Sequence, residues 1–236
     1  MLFVTLIVFF AIFTQAASGF GLALVSMPLL VTFLDIRTAT PLIAIVGGTA
    51  ELFLLLRYRH ALNFRAVVRL SLAALIGIPL GVYALDVVNA QVITAVLGVI
   101  VVLYSLYALL RFRLPTLRNN GWAYGLGFIS GILGGAFNTS GPPVIIYGTC
   151  RSWQPAEFKS NLQAFFLFNS IITFVSHAGS GNFTPVVWQY YLWALPGIFL
   201  GMFFGVRLDG RLNPDQFRKV VLILLLILGV RLLFIS

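Results

Sequence analysis

The residues of this sequence best equipped for chemistry lie inside apolar runs. Asn138, Thr139 and Ser140, followed by Gly141, Pro142 and Pro143, form the densest polar cluster within a hydrophobic stretch. A helix that starts there presents N–H groups without intrahelical partners and the partial positive charge of a helix N-terminus, and both suit an anion. Gln15, Ser18, Gly19 and Gly21 mark a comparable interruption in the first half of the chain. Two such helix starts facing each other would hold an oxyanion without a buried arginine. Ser130, Gly134 and Gly135 precede the second interruption and join the predicted substrate-binding set. Asn169 joins it as well, because it stands in the second half much as Glu51 does in the first. The alternative for the Ser and Thr residues is that they bond the backbone of their own helices.

Glu51 is the only carboxylate deep in a predicted span. An ionisable group at that depth is costly, which points to a function, and proton coupling is the expected one. The competing reading pairs it with Arg57 or Arg59 near the interface. Gln163 and Asn161 are weaker lining candidates, and Lys159 is either a solvated helix end or a gate charge. Enzyme chemistry has little to build on. His60 and His177 have no metal-ligand spacing, Ser140 has no nearby base, and Cys150 is the only cysteine, so no disulfide framework or Cys-rich metal site arises. No cofactor is expected.

The elements that must position these residues are membrane spans. Of 236 residues, 60% are hydrophobic and 9% charged, against about 45–50% and about 25% in soluble domains. Too few charges remain to cover a water-facing surface, so the bulk of the fold must face the lipid bilayer. Apolar segments run over Leu2–Leu34, Pro41–Leu56, Leu70–Leu85, Val92–Leu110, Trp122–Cys150, Leu162–Val175, Val186–Val206 and Val220–Ile235. The expected fold is an all-α polytopic membrane protein with one transmembrane domain over 1–236. The net charge of +9 sits in short clusters between the spans, as cytoplasmic loops do, and does not indicate nucleic acid.

Leu2–Leu34 and Trp122–Cys150 are too long for one straight crossing, and each holds a helix-breaking stretch. Opened backbone at membrane depth survives only when buried in protein or lining a cavity. The chain also repeats itself. Leu75-Ile76-Gly77-Ile78-Pro79-Leu80-Gly81 corresponds to Leu195-Pro196-Gly197-Ile198-Phe199-Leu200-Gly201. Two repeats, about 1–112 and about 121–236, each read as a broken segment followed by three spans. If Trp122–Cys150 is a hairpin returning to its own side, every basic residue except Arg37 and Arg231 falls on the inside. A single crossing would give no bias. Three spans per half then turn the second repeat upside down, the inverted-topology arrangement of many transporters. Leu2–Leu34 remains either a hairpin or a kinked span. Gly77/Gly81, Gly127/Gly131 and Gly197/Gly201/Gly205 read as helix-packing glycines.

Gln15-Ala-Ala-Ser-Gly-Phe-Gly21 with Pro28-Leu29, and Gly127-Phe-Ile-Ser-Gly-Ile-Leu-Gly-Gly135 leading to Gly141-Pro142-Pro143, resemble the sulfite exporter TauE/SafE family of membrane permeases over nearly the whole chain. The resemblance implies multi-pass residence in the bacterial cytoplasmic membrane. It also implies transport of small anions, often sulfur-containing oxyanions or organosulfonates. The expected function is therefore a secondary transporter, an exporter working by alternating access on a small anionic substrate, with a homodimer an open option. An anion channel and a non-transporting membrane scaffold are the alternatives.

Overall fold

The computed structural model describes residues 1–110, 114–209 and 213–235; Arg111, Arg113 and Arg211, part of the charge argument, lie outside them. Among the described residues are ten α-helices and no strand. They are α1 (Leu2–Ser18), α2 (Leu22–Leu30), α3 (Ile36–Tyr58), α4 (Phe64–Val87), α5 (Ala90–Leu110), α6 (Trp122–Phe137), α7 (Gly141–Cys150), α8 (Pro155–Gly179), α9 (Pro185–Leu208) and α10 (Pro214–Ile235). Five of these, with α3 extended to Ala61 by a 3₁₀ turn, are long and apolar enough to cross a membrane, and α1 and α6 are shorter apolar helices. The protein is a polytopic helical membrane protein.

Local chemistry sets the boundaries. Asp35 caps α3 by accepting from the Arg37 N–H at 2.7 Å, and Asn63 caps α4 by accepting from Ala66. Pro155 and Pro185 open α8 and α9, where a missing N–H costs nothing. The two long segments split where left-handed backbone is required. Gly19 has φ 87° and Gly21 φ 115°, conformations that glycine adopts without strain. Asn138, at φ 52°, ends α6 in the same region, which asparagine tolerates better than most residues.

Both broken segments are hairpins. The rings of Phe3, at the start of α1, and Phe33, just past α2, lie 5.0 Å apart, so the chain returns to the end it left. For the second, the Leu117 N–H donates to the Cys150 carbonyl at 3.0 Å and Arg151 Nη1 donates to the Leu117 carbonyl at 2.7 Å. Leu2–Leu34 is thus a hairpin and not a kinked span.

Each hairpin's first helix packs in parallel against a long helix from the other half of the chain. In the α4–α6 seam, Gly77 and Gly81 face the α6 backbone from Phe128 to Ala136, and Gly127, Gly131 and Gly135 face the α4 backbone from Leu70 to Val82. In the α1–α9 seam, Gly197, Gly201 and Gly205 meet Thr5 to Ala16 in rising order. A Cβ at any of these positions would collide with neighbouring backbone or an alanine methyl, so glycine permits the approach. Gly98 on α5 and Gly229 on α10 meet each other directly. Long helices α3 and α8 cross at the centre, where Glu51 and Ser170 touch.

The bundle has two chemically distinct ends. At one, Asn63 bonds Asn161 and Glu157, and Lys159 pairs with Asp209; Arg57 in the last turn of α3, Arg59 on the connecting turn and Arg65 in the first turn of α4 lie here too. At the far end, Arg37 donates to the carbonyls of Leu85, Asp86 and Val88. The far-end loops should face outside the cell. Single cysteines at Asn89 and His60 in a Cys150→Ala background test this. A membrane-impermeant thiol reagent is expected to label position 89 in intact cells and position 60 only after permeabilisation. The opposite pattern contradicts the orientation.

Candidate functional site

A cavity lies where the two hairpin turns, α3 and α8 converge. Gln15, Gly21 and Leu22–Leu24 line it from the first hairpin, and Gly134 and Asn138–Gly141 from the second. Ile43, Gly47 and Glu51 contribute from α3, and Phe166, Asn169 and Ser170 from α8. About 30 Å³ of it is open to the centres of water-sized molecules, against about 10–15 Å³ for a single water. That suits a few waters or a compact ion of a few heavy atoms.

The starts of α2 and α7 both face this space. On α2, the Leu22 N–H donates to Gln15 Oε1 at 3.1 Å; the N–H groups of Ala23 and Leu24, in the same first turn, have no intrahelical acceptor. On α7, Pro142 and Pro143 carry no N–H, so this helix offers the amides of Ser140 and Gly141 alone. That is fewer donors than the length of the polar cluster suggests. Ser130 donates to the Ser140 carbonyl and fixes the turn from below. The Ser140 hydroxyl makes no hydrogen bond among the described residues and lines the cavity.

Glu51 is buried, and Ser170 Oγ donates to its Oε2 at 2.6 Å. Among the described residues it makes no ion pair with Arg57 or Arg59, so the interfacial pairing considered from sequence does not occur. Its carboxyl shares the cavity with the two helix starts.

The predicted site residues divide. Gln15, Gly21, Gly134, Asn138, Thr139, Ser140, Asn169 and Glu51 meet at the cavity. Ser18, Gly19, Ser130 and Gly135 do not line it. The Ser18 hydroxyl lies 2.7 Å from the carbonyls of Thr14 and Phe20, closing its own turn. Gly19 is the hairpin tip: its carbonyl accepts from Gln163 Nε2 at 2.8 Å, and its missing Cβ would stand 3.1 Å from the Lys159 stem. Gly135 packs on α4 at Ile78 and Val82. Gly47, Phe166 and Ser170 line the cavity without having been singled out; the Gly47-Gly48 pair inside a span and the Asn169-Ser170 pair were the available signals.

Each hairpin tip is tied to one long helix on either side of the cavity. Gln163 holds Gly19 and also accepts from Gln15 Nε2 at 3.2 Å. Asn138 Nδ2 holds the Thr40 carbonyl at 2.5 Å. Along α3, Thr40 and Tyr58 flank Glu51 toward opposite ends. Beyond Gly19, the basic end is closed by Lys159 Nζ on Asp209 Oδ1 at 2.6 Å, with Tyr58 donating to Asp209 Oδ2 at 2.5 Å. Lys159 is thus a paired charge over the first hairpin tip.

Comparison with known proteins places this geometry in context. Residues 4–232 match the family described as sulfite exporter TauE/SafE. A protein of Cupriavidus necator named probable sulfite/organosulfonate exporter TauE is 23% identical over 225 residues, covering 93% of this chain and 88% of that one. No solved structure matches. With the family match running from the first turn of α1 to the last turns of α10, the chain belongs to the sulfite exporter TauE/SafE family.

Proposed function

We propose that this protein is a secondary transporter that exports a small anion, a sulfur oxyanion or compact organosulfonate, across the bacterial cytoplasmic membrane. The observation that carries the reading is the convergence of two helix N-termini and the unpaired Ser140 hydroxyl on one small cavity between the hairpin tips. The membership of an exporter family and the name of the Cupriavidus necator relative support export and the substrate class. The cavity size favours sulfite over longer sulfonates in this conformation.

Alternating access is the mechanism. The parallel seams, the self-meeting α5–α10 pair and the corresponding hairpins support two inverted repeats exchanging packing partners. Both hairpin tips are bonded in place, so the cavity is held from the basic end by Gly19 with its Lys159–Asp209 cover, and from the far end by Asn138. Release of one tie while the other holds exposes the site to one side at a time. Glu51 supplies coupling: its ionised carboxylate repels an anion in the same cavity, so anion and proton bind and move together, outward when the anion's outward gradient exceeds the inward gradient of protons.

A thermal-shift screen of the purified protein with sulfite, sulfate, thiosulfate, sulfoacetate, taurine and simple carboxylates tests the substrate class. A ligand bound only by the folded state stabilises it, by about 2.7 kcal/mol at a hundred times Kd, and so raises the apparent Tm. Sulfite is expected to give the largest shift. Stabilisation by carboxylates alone would remove the sulfur-oxyanion reading.

A further inference from the structure

We propose that Asn169 makes the cavity selective for anions that also carry a hydrogen-bond donor, an O–H or N–H placed opposite the anionic oxygens. This rests on the anion-site reading above and refines its substrate class. Asn169 is 97% buried, on the α8 wall of the cavity, since 3% of its surface is exposed. Its amide orientation is set by a bond within α8: Nδ2 donates to the Phe165 carbonyl at 3.1 Å. Oδ1 is therefore left as a pure acceptor, and it has no partner. It lies enclosed against Gly134, where an added Cβ would stand 2.7 Å away, so a side chain at position 134 would take the one methyl-sized space beside the oxygen. Among the described residues, Asn169 Oδ1 is the one fully enclosed side-chain atom without a partner that belongs to a residue lining this cavity; the Ser140 hydroxyl, also unpaired, is not fully enclosed.

A buried acceptor left unpaired is costly, and native proteins fill such positions with a donor. The helix starts of α2 and α7 supply donors for anionic oxygens. Asn169 supplies the reverse polarity within the same small space. A ligand that satisfies both carries negative oxygens at one end and a donor at the other. Hydrogensulfite, hydroxyalkanesulfonates and aminoalkanesulfonates have that pattern; sulfate, thiosulfate and simple alkanesulfonates do not. A site that hydrogen-bonds a ligand's donor rejects the analogue lacking it strongly, because the site's own polar group is then stranded.

The test uses two isosteric monoanions, hydroxymethanesulfonate and ethanesulfonate, which differ only in exchanging a hydroxyl for a methyl. Their Kd values for the purified full-length protein are measured by calorimetry, with sulfite as a reference. Hydroxymethanesulfonate is expected to bind at least about tenfold more tightly. In Asn169→Leu, which keeps the volume and removes the acceptor, the two are expected to agree within about twofold. Gly134→Ala places a methyl before Oδ1 and provides a second, independent variant with the same expected loss of preference. Equal binding of the pair by the unmodified protein overturns the selectivity while leaving the anion site standing. A preference that survives in both variants overturns the role of Asn169 and moves it to another acceptor. No binding of either compound or of sulfite overturns the anion site itself.

Discussion

Glu51→Gln is expected to yield a transporter whose transport of a non-titrating anion such as hydroxymethanesulfonate no longer varies with pH. Glu51 stands in the cavity with the two helix starts, its carboxyl bonded to Ser170, and none of the described residues lining the cavity is a Lys or Arg. An anion entering beside an ionised carboxylate meets roughly 3 kcal/mol of repulsion at about 5 Å in an effective dielectric near 20. That is on the order of a hundredfold in affinity. The sign follows directly. In the unmodified protein, anion binding is strongest where Glu51 holds a proton and weakens as pH rises and the proton is lost. Glutamine is neutral at every pH, keeps the shape, and still accepts from Ser170. Anion uptake into proteoliposomes, measured with and without an imposed pH gradient, checks this. The variant is expected to catalyse anion movement that an imposed gradient cannot drive. Unchanged pH dependence would return Glu51 to a structural role.

The second large effect is structural. Gly131→Val is expected to abolish monodisperse, folded protein, whereas Gly125→Ala on the same helix is expected to leave yield and Tm unchanged. A Cβ at position 131 would lie 2.6 Å from the Ala74 carbonyl oxygen and 2.7 Å from the Ala74 Cα. Those atoms belong to the backbone of α4 and cannot rotate away. At Gly125 nothing lies within 4 Å. Overpacking a well-fitted contact costs about 1–3 kcal/mol and sometimes more. Here one larger residue must also part a seam held by Gly127 and Gly135 on either side. In a bilayer no hydrophobic drive restores the contact, because lipid covers a separated helix as well as a neighbour does. Size-exclusion profiles and thermal melts in detergent compare the two variants.

Much of this architecture is legible in the chain. Gly19, Gly21 and Asn138 stand where left-handed backbone splits the long segments, and glycine or asparagine at such points is a signal that a sequence displays openly. The spacing of Gly127 and Gly131, or of Gly197, Gly201 and Gly205, declares a packing face. The side of the helix on which neighbouring residues fall is less legible. Gly134 and Gly135 are adjacent, yet one borders the cavity and the other meets α4. Successive helical residues point about 100° apart, and without knowing which helix packs where, either could have faced the site. Ser130 and Ser18 illustrate the competing pull of backbone: both hydroxyls are consumed closing turns. The bonds of Gln163 to Gln15 and to the Gly19 carbonyl join residues nearly 150 positions apart. No local pattern announces such a contact. The segment Pro41–Leu56 shows the same limit at helix ends, where Asp35 extends α3 back to Ile36 by capping it.

Binding of radiolabelled sulfite to the purified protein, compared with Ser140→Ala, tests the central claim most directly. Ser140 lines the cavity at the start of α7 with a hydroxyl that makes no hydrogen bond among the described residues, so its loss should leave the fold intact. A hydrogen bond to a charged oxygen contributes roughly 1.5–3 kcal/mol. Saturable binding by the unmodified protein is therefore predicted, with a Kd about ten- to a hundredfold weaker in Ser140→Ala at an unchanged Tm. Sulfite bound equally well by both proteins would place the anion elsewhere and contradict the site between the two hairpin turns.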